Sequence, residues 1–435
     1  MYSPETYRHR LIDEKIESYL SATGAILIDG MRWCGKTTTG QSHCLADGIG
    51  GSWISLADST NNFSNRRLAQ ASPDYVVKGD LPRLIDEWQE VPQIYDVVRN
   101  ACDAADRNGL FILTGSSKAD VGSDEIFHSG TGRIATITMS SMTLYETGDS
   151  SGMISMRDLF DHPLPSTPTG KVEIDNLVRL CVRGGWPKNI DCSIETAQIT
   201  PAEYIKTIIR DDVNSLKQFK HKRSPEKIEA VLSAIASCES TASGVTDFVK
   251  IIKETSNQNM GRPAVSDLIA AFQELYILYN QPAFTLPEGA SGSKLLKSPK
   301  IRFSDPSLAI AAIKYKPMML LNNMDMFAQF WDCLCTHDLK IYSESINATL
   351  YHLLEEHGNA ADSLIQLEDG RIGCFKHVVA EADTDRAAQQ LLRVRTILEN
   401  AKKDCSLLCV ICGMADAAYT RKDGVMVVPL TALKP

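Results

Sequence analysis

Short apolar runs recur along the first third of the chain, at Ala25-Ile26-Leu27-Ile28, Trp53-Ile54-Ser55-Leu56, Leu84-Ile85 and Leu110-Phe111-Ile112-Leu113, with IATITM following from Ile134. Each has the length of a strand and is bounded by glycine, proline or charge, and a continuous apolar run of that length predicts a buried parallel strand. The second half changes period. In GRPAVSDLIAAFQELYIL, Val265, Leu268, Ile269, Phe272 and Leu275 fall on one helical face, with Pro263 in the first turn. An amphipathic helix over Val245 to Glu254 precedes it across the polar turn TSNQNMG, and YILYNQPAFTL follows as a strand. From about Asp325 strands and helices alternate. DTDRAAQQLLRVRTILENAK predicts a helix capped by Asp383 or Thr384, CSLLCVICG a buried strand, and RKDGVMVVPLTAL a turn and a strand.

The residues at the ends of the first strands carry the chemistry. Directly after the first run stands Gly30-Met31-Arg32-Trp33-Cys34-Gly35-Lys36-Thr37, a full match to G-x-x-x-x-G-K-[ST], and TTTGQSHCL then predicts a helix. Glycines let the backbone curl so that successive N–H groups face phosphate, and the helix N-terminus favours the anion. Gly30, Met31, Arg32, Trp33, Cys34, Gly35, Lys36, Thr37 and Thr38 are therefore expected to cradle a nucleotide. Lys36 would lie near the β- and γ-phosphates, and the Thr37 hydroxyl on Mg²⁺. The run ending Asp86-Glu87 supplies a second Mg²⁺ ligand, Asp86, and a group placed to polarise water, Glu87. Thr114 and Ser116, at the end of FILTGSS, are both candidates for sensing the γ-phosphate. Arg133, ending HSGTGR, is a candidate arginine finger in its own subunit or a neighbour's, with a surface arginine as the alternative. There is no Asn-Lys-x-Asp motif for guanine. Adjacent Asp-Glu favours water as the nucleophile over a kinase substrate. The expected cofactors are ATP and Mg²⁺.

Composition narrows the setting. A chain of 435 residues exceeds one ordinary core. Its 43% apolar and 23% charged content is that of a globular protein. No apolar run spans a bilayer and MYSPETYRHRLIDEKIESYL has no signal-like core, so a cytoplasmic protein without membrane contact is expected. The net charge of −9 weighs against indiscriminate nucleic-acid binding. The cysteines of CSLLCVICG, and Cys333 and Cys335, lie in apolar strand-like or helix-like runs and are expected to be core thiols.

IDGMRWCGKTT, LIDEWQ, FILTGSS and HSGTGRI followed by SSMTLYE resemble a prokaryotic family of AAA-type ATPases whose C-terminal half is the domain of unknown function numbered 4143. RGGWP at Arg183 to Pro187, YIKTIIRDD from Tyr204, and RFSDPSLAIAAI from Arg302 resemble later segments of that family. The resemblance implies an ATP-binding core, a helical linker, a winged-helix-like region and a C-terminal domain related to PD-(D/E)xK nucleases. The expected fold is a multidomain α/β chain divided at 1–160, 161–224, 225–315 and 316–435. Asp362 matches the first acid of the nuclease motif and Asp332 an upstream helical acid. The strand GRIGCFKHV lacks the second acid in either register of Lys376, so a nuclease-like fold without its metal site is expected. The predicted recognition helix offers only Arg262, Ser266 and Asp267 early. That favours a packing or protein-partner module over a DNA reader, despite basic runs at Lys217 to Arg223 and Gly292 to Arg302. Oligomeric state is not legible.

Overall fold

The computed structural model describes residues 4–116, 132–216, 219, 222–287 and 294–435. The chain forms two compact units, residues 1–141 with 274–276, and residues 142–273 with 277–435.

The first unit is built on five parallel strands: β1 (Ala25–Gly30), β2 (Ser52–Ser55), β3 (Arg83–Asp86), β4 (Phe111–Thr114) and β5 (Ile134–Met139). Their order in the sheet is β2-β3-β4-β1-β5, so the strand ending in Thr114 lies between the glycine-rich strand and the acidic one. The helices are α1 (Asp13–Ala22), α2 (Lys36–Leu45), α3 (Ser64–Ala71) and α4 (Ile94–Ala104). Successive strand side chains point to opposite faces. Ala25 and Leu27 accordingly join Ile54, Ile85, Ile94, Val98 and Leu113 in one buried cluster, while Ile26 and Ile28 are equally buried outside it. Helix α2 packs along β1 to β4. Gly40 makes that approach close, since a Cβ there would stand 2.8 Å from a Leu84 methyl.

In the second unit two short strands, β6 (Ile154–Ser155) and β7 (Thr167–Pro168), precede a helical region. Helices at Pro225–Ala236, Val245–Thr255 and Arg262–Glu274 are followed by β8 (Leu278–Gln281) and β9 (Lys300–Phe303), which pair antiparallel. A long helix, Met324–Ser345, leads into β10 (Thr349–Leu354), β11 (Ala360–Gln366) and β12 (Ile372–Val378). The chain ends with β13 (Cys405–Cys412), β14 (Ala417–Thr420), β15 (Met426–Val428) and β16 (Leu433–Lys434). A seven-stranded mixed sheet runs β10-β11-β12-β13-β15-β14-β7. Its parallel pair β12–β13 is joined by the helix Thr384–Asn400, whose Ala388, Leu391, Val394 and Leu398 are buried with Cys374, Leu408 and Val410. All twelve cysteines are free thiols, and Cys333, Cys335, Cys409 and Cys412 are buried in helix or strand. No helix among the described residues is long and apolar enough to cross a membrane.

Two segments singled out in the sequence meet inside this unit. Asp305 is fully buried. Its carboxylate accepts from the Gly185 N–H at 2.9 Å, from the Ser307 N–H at 2.9 Å and from the Ser307 hydroxyl at 2.6 Å. The Trp186 indole donates to Ser307 Oγ at 2.9 Å. Gly184 has φ +66°, and a Cβ there would sit 2.4 Å from Asp305 Oδ1. The Gly-Gly-Trp-Pro turn is thus fastened to the Asp-Pro-Ser helix start by buried polar groups that satisfy one another.

Asp305→Ala would leave the Gly185 and Ser307 donors buried without an acceptor. At about 1–3 kcal/mol for each such group, the expected loss is about 3 kcal/mol, read as a lower urea midpoint, with Asp305→Asn recovering part. A change under about 1 kcal/mol would show that the carboxylate does not hold the turn. A second prediction concerns pH. His352 on β10 is fully buried, its Nε2 lies 3.1 Å from the Ser298 carbonyl, and its Nδ1 has no partner. Burial, and then the charge of Lys300, push its pKa down to about 4 from 6.5. Between those values the unfolded chain binds the extra proton, so stability falls as pH drops from about 6.5 towards 4, by up to about 1.4 kcal/mol per pH unit. His352→Gln should flatten that slope in urea melts at pH 6.5 and 4.5; equal slopes in both proteins would refute this origin.

Candidate nucleotide site

The glycine-rich loop leaves β1 at its C-terminal end and enters α2 at Lys36. Gly30 has φ +135° and packs so closely on β5 that a Cβ would fall 2.2 Å from the Met139 carbonyl oxygen. Gly35 is the N-cap of α2 with φ +109°, and no side chain caps the helix. The first N–H groups of α2 therefore face the loop with no intrahelical acceptor. Cys34 is buried, with its thiol 3.5 Å from the Met139 carbonyl, and Met31 is buried beside it. Trp33, at φ +65°, is 51% exposed on the loop. The buried Lys36 ammonium donates to the carbonyls of Gly30 at 2.9 Å and Met31 at 2.6 Å, which holds its charge over the loop.

Asp86, at the end of β3, gathers the hydroxyls around it. Its Oδ1 accepts from Thr37 Oγ1 at 2.7 Å and from Thr114 Oγ1 at 2.5 Å, and its Oδ2 accepts from Ser55 Oγ at 3.4 Å. Glu87 turns the chain, with φ +57°, and its carboxylate accepts from the Gln89 amide at 2.5 Å and from Ser116 Oγ at 3.4 Å. Glu87 N–H reaches Thr114 Oγ1 at 3.4 Å. Lys36, Thr37, Asp86, Glu87, Thr114 and Ser116 thus lie at one end of the sheet. Thr114 serves Asp86 and Ser116 serves Glu87, so the two hydroxyls that the sequence left as alternatives both have a place.

Arg133 is not brought to that end. It immediately precedes β5, its carbonyl accepts from Ala25 N at the start of β1, and its Nε donates to Asp103 Oδ1 at 2.6 Å on the exposed surface. Ala25 pairs with Ile134 and Gly30 with Met139, so a full strand of about 17 Å separates Arg133 from the loop of its own chain. The expectation of a finger acting within the subunit is corrected on this ground. A cleft of about 400 Å³ surrounds Arg133, lined also by Gly24, Cys102, Asp103 and Arg107. His128 to Thr131 of the HSGTGR segment lie outside the described residues.

Three contributors escaped the sequence reading. Ser55 and Gln89 carry only a weak signal, a hydroxyl at a strand end and an amide two residues past Glu87. Tyr276 carries none. It lies between the helix Arg262–Glu274 and β8 yet belongs to the first unit, at φ +59°, and its hydroxyl donates to Asp29 Oδ2 at 2.6 Å. Burial, and then the Asp29 charge, raise the Tyr276 pKa far above its usual value, so it stays a donor. Asp29 directly precedes Gly30.

Residues 22–148 match a family model described as an AAA domain. Residues 174–318 match one described as a domain of unknown function, numbered 8612 where the resemblance implied 4143. No curated protein matches the chain. Among solved structures, the Walker-type ATPase of Pyrococcus abyssi is similar at 13% identity and a TM-score of 0.39, over 72% of this chain and 97% of that one. The Orc1 protein of Aeropyrum pernix in complex with DNA is similar at 12% identity and a TM-score of 0.26, over 73% of this chain and 95% of that one. The loop and the acidic strand thus lie in the part of this chain that is similar to an AAA domain, followed by a segment similar to a family of unknown function.

Proposed function

We propose that the first unit binds ATP with Mg²⁺ and hydrolyses it, and that nucleotide state alters what the C-terminal half binds. The observation that carries this reading is the arrangement of Thr37, Thr114 and Asp86, three groups from α2, β4 and β3 hydrogen-bonded at the mouth of the glycine-rich loop. The donor set fits the cofactor: curled backbone N–H groups and Lys36 for phosphate, a hydroxyl and a carboxylate for a hard divalent ion. Thr37 and Asp86 would hold Mg²⁺, which when bound offsets phosphate charge. Residues Gly30 to Thr38 would hold the phosphates. Glu87, steadied by Gln89 and Ser116, would accept a proton from the attacking water, and Ser116 would register the γ-phosphate. Arg133, paired with Asp103 beside the start of β5, is given no part in this site.

Tyr276 supports coupling. It is tied by its hydroxyl to the residue before Gly30 and by the backbone to the helix Arg262–Glu274 on one side and β8 on the other. We infer a winged-helix-like module over 225–315 and a nuclease-like sheet over 316–435, after a helical linker at 161–224. Asp267 on the third helix is paired with Arg223 at 3.2 Å, which lowers the positive charge that face would offer DNA. A protein partner is the favoured target. The second reading is a slow nucleotide-gated binding module in the same location, the cytoplasm.

Steady-state phosphate release separates the two. Glu87→Gln should lower turnover by about 10²–10⁴-fold while ATP binding, measured by titration, persists; Lys36→Ala should lose binding. Wild-type binding without turnover, with or without duplex DNA, would reject hydrolysis and favour the gated module.

A further inference from the structure

The residues just before α1 carry no part of the phosphate-binding motif, yet one of them reaches the glycine-rich loop. Arg10 is buried, although it is charged and lies near the start of the chain. Its Nη1 donates to the Cys34 carbonyl at 2.9 Å and its Nη2 to the Ser140 carbonyl at 2.8 Å. Cys34 stands in the loop, one residue before Gly35. Ser140 directly follows β5, the strand on which Gly30 packs. One guanidinium therefore joins the loop to the end of the adjoining strand, through a fork whose two arms are held in one plane.

The segment that delivers Arg10 is itself fastened to α2, the helix that follows the loop. Asp13, the first residue of α1, is buried, and its Oδ2 accepts from the Arg10 N–H at 2.8 Å. Its Oδ1 accepts from the Tyr7 hydroxyl at 2.7 Å and lies 3.3 Å from His43 Nε2. The Tyr7 hydroxyl is also 3.3 Å from Thr39 Oγ1. Thr39 and His43 are one helical turn apart on α2 and so share a face. Burial pushes the Asp13 pKa up, but the bonds from His43, the Arg10 N–H and Tyr7 outweigh it. They hold the carboxyl below its usual range, so it remains an acceptor.

We propose that Arg10, on the reading of the loop as a phosphate site, is a positioning residue that holds the Cys34–Gly35 peptide for the anion. A trans peptide is planar, and its C=O and N–H point in opposite directions. Fixing the Cys34 carbonyl on Arg10 therefore fixes where the Gly35 N–H points. Gly35, at φ +109°, belongs to the residue type whose backbone turns most freely unless something holds it. A donor set in place before the anion arrives loses less freedom on binding. Arg10 does not touch phosphate in this role; it acts through the backbone that does. Lysine would keep the charge but offers one ammonium on a flexible stem in place of a two-armed fork.

The test uses the full chain, with MgATP and inorganic tripolyphosphate as probes, titrated by calorimetry into wild type, Arg10→Ala and Arg10→Lys. Arg10→Ala should weaken both probes by the same factor, about tenfold or more, since tripolyphosphate has no base or sugar to hold. Arg10→Lys should stay several-fold weaker than wild type, and it carries the test if Arg10→Ala loses too much stability. Amide hydrogen exchange in the nucleotide-free proteins should quicken across Gly30 to Thr38 in both variants and stay as in wild type across β3 and β4. Wild-type affinity for both probes in Arg10→Ala would overturn the proposal and leave the nucleotide reading standing. So would a lowered urea midpoint with unchanged affinity, the mark of a merely structural contact, or unchanged exchange across the loop. Full recovery in Arg10→Lys would assign the effect to charge instead of the fork and would equally overturn it. Wild type that binds neither probe would reject the nucleotide reading itself, and the proposal with it.

Discussion

The Asp86 carboxylate joins the elements that build the candidate nucleotide site. A carboxylate at the end of a buried strand is costly unless its oxygens are satisfied, and here hydroxyls from α2, β4 and β2 do so. That requirement sets the relative height of three strands and a helix. It places Thr37 beside the acid, and the same turn that ends β3 at Asp86 throws Glu87 out towards Ser116 and Gln89. The sheet order then follows a simple need: β4 must lie between β1 and β3 for its threonine to reach the acid.

The second unit meets the same constraint with whole charges. Arg302 and Glu239 are both inaccessible to solvent, and the pKa of Glu239 is raised by burial even though Arg302 opposes that shift. Asp332, also buried, is held well below the usual range by Arg302 and His377 against its burial. Removing one partner of such a set leaves a charge stranded in low dielectric, which costs more than an exposed pair of the same geometry contributes. The long helix Met324–Ser345 therefore has its position relative to β9 and β12 fixed by electrostatics as well as by its apolar face.

Much of the first unit was legible because its signals are local. A strand of four to six apolar residues, a glycine-rich turn and a helix adjoin one another, and each part states its own physics. The helix at Arg262–Glu274 and the strand Cys405–Cys412 were legible for the same reason, through period and burial. What escaped depends on distant residues. Between the two readings of Arg133, a finger or a surface arginine, the sequence offers no choice, because position along the chain does not say which end of a parallel strand a residue occupies. Asp383 and Thr384 looked like caps, yet the Asp383 side chain makes no cap bond and Thr384 Oγ1 donates to the Glu381 carbonyl instead. His377 was passed over beside Lys376 because its partner, Asp332, is 45 residues away.

Tyr276 has a consequence for how the chain is made. Domains generally fold as units while the chain emerges, N-terminal ones first, at about 5–20 residues per second. The first unit contains residues 274–276, so its composition is not complete when residue 141 has emerged. Asp29 must wait for a hydroxyl encoded almost 250 codons later. During synthesis the glycine-rich loop exists for some seconds without that tether, and the helix that delivers it must be translated before the candidate site acquires its full set of neighbours.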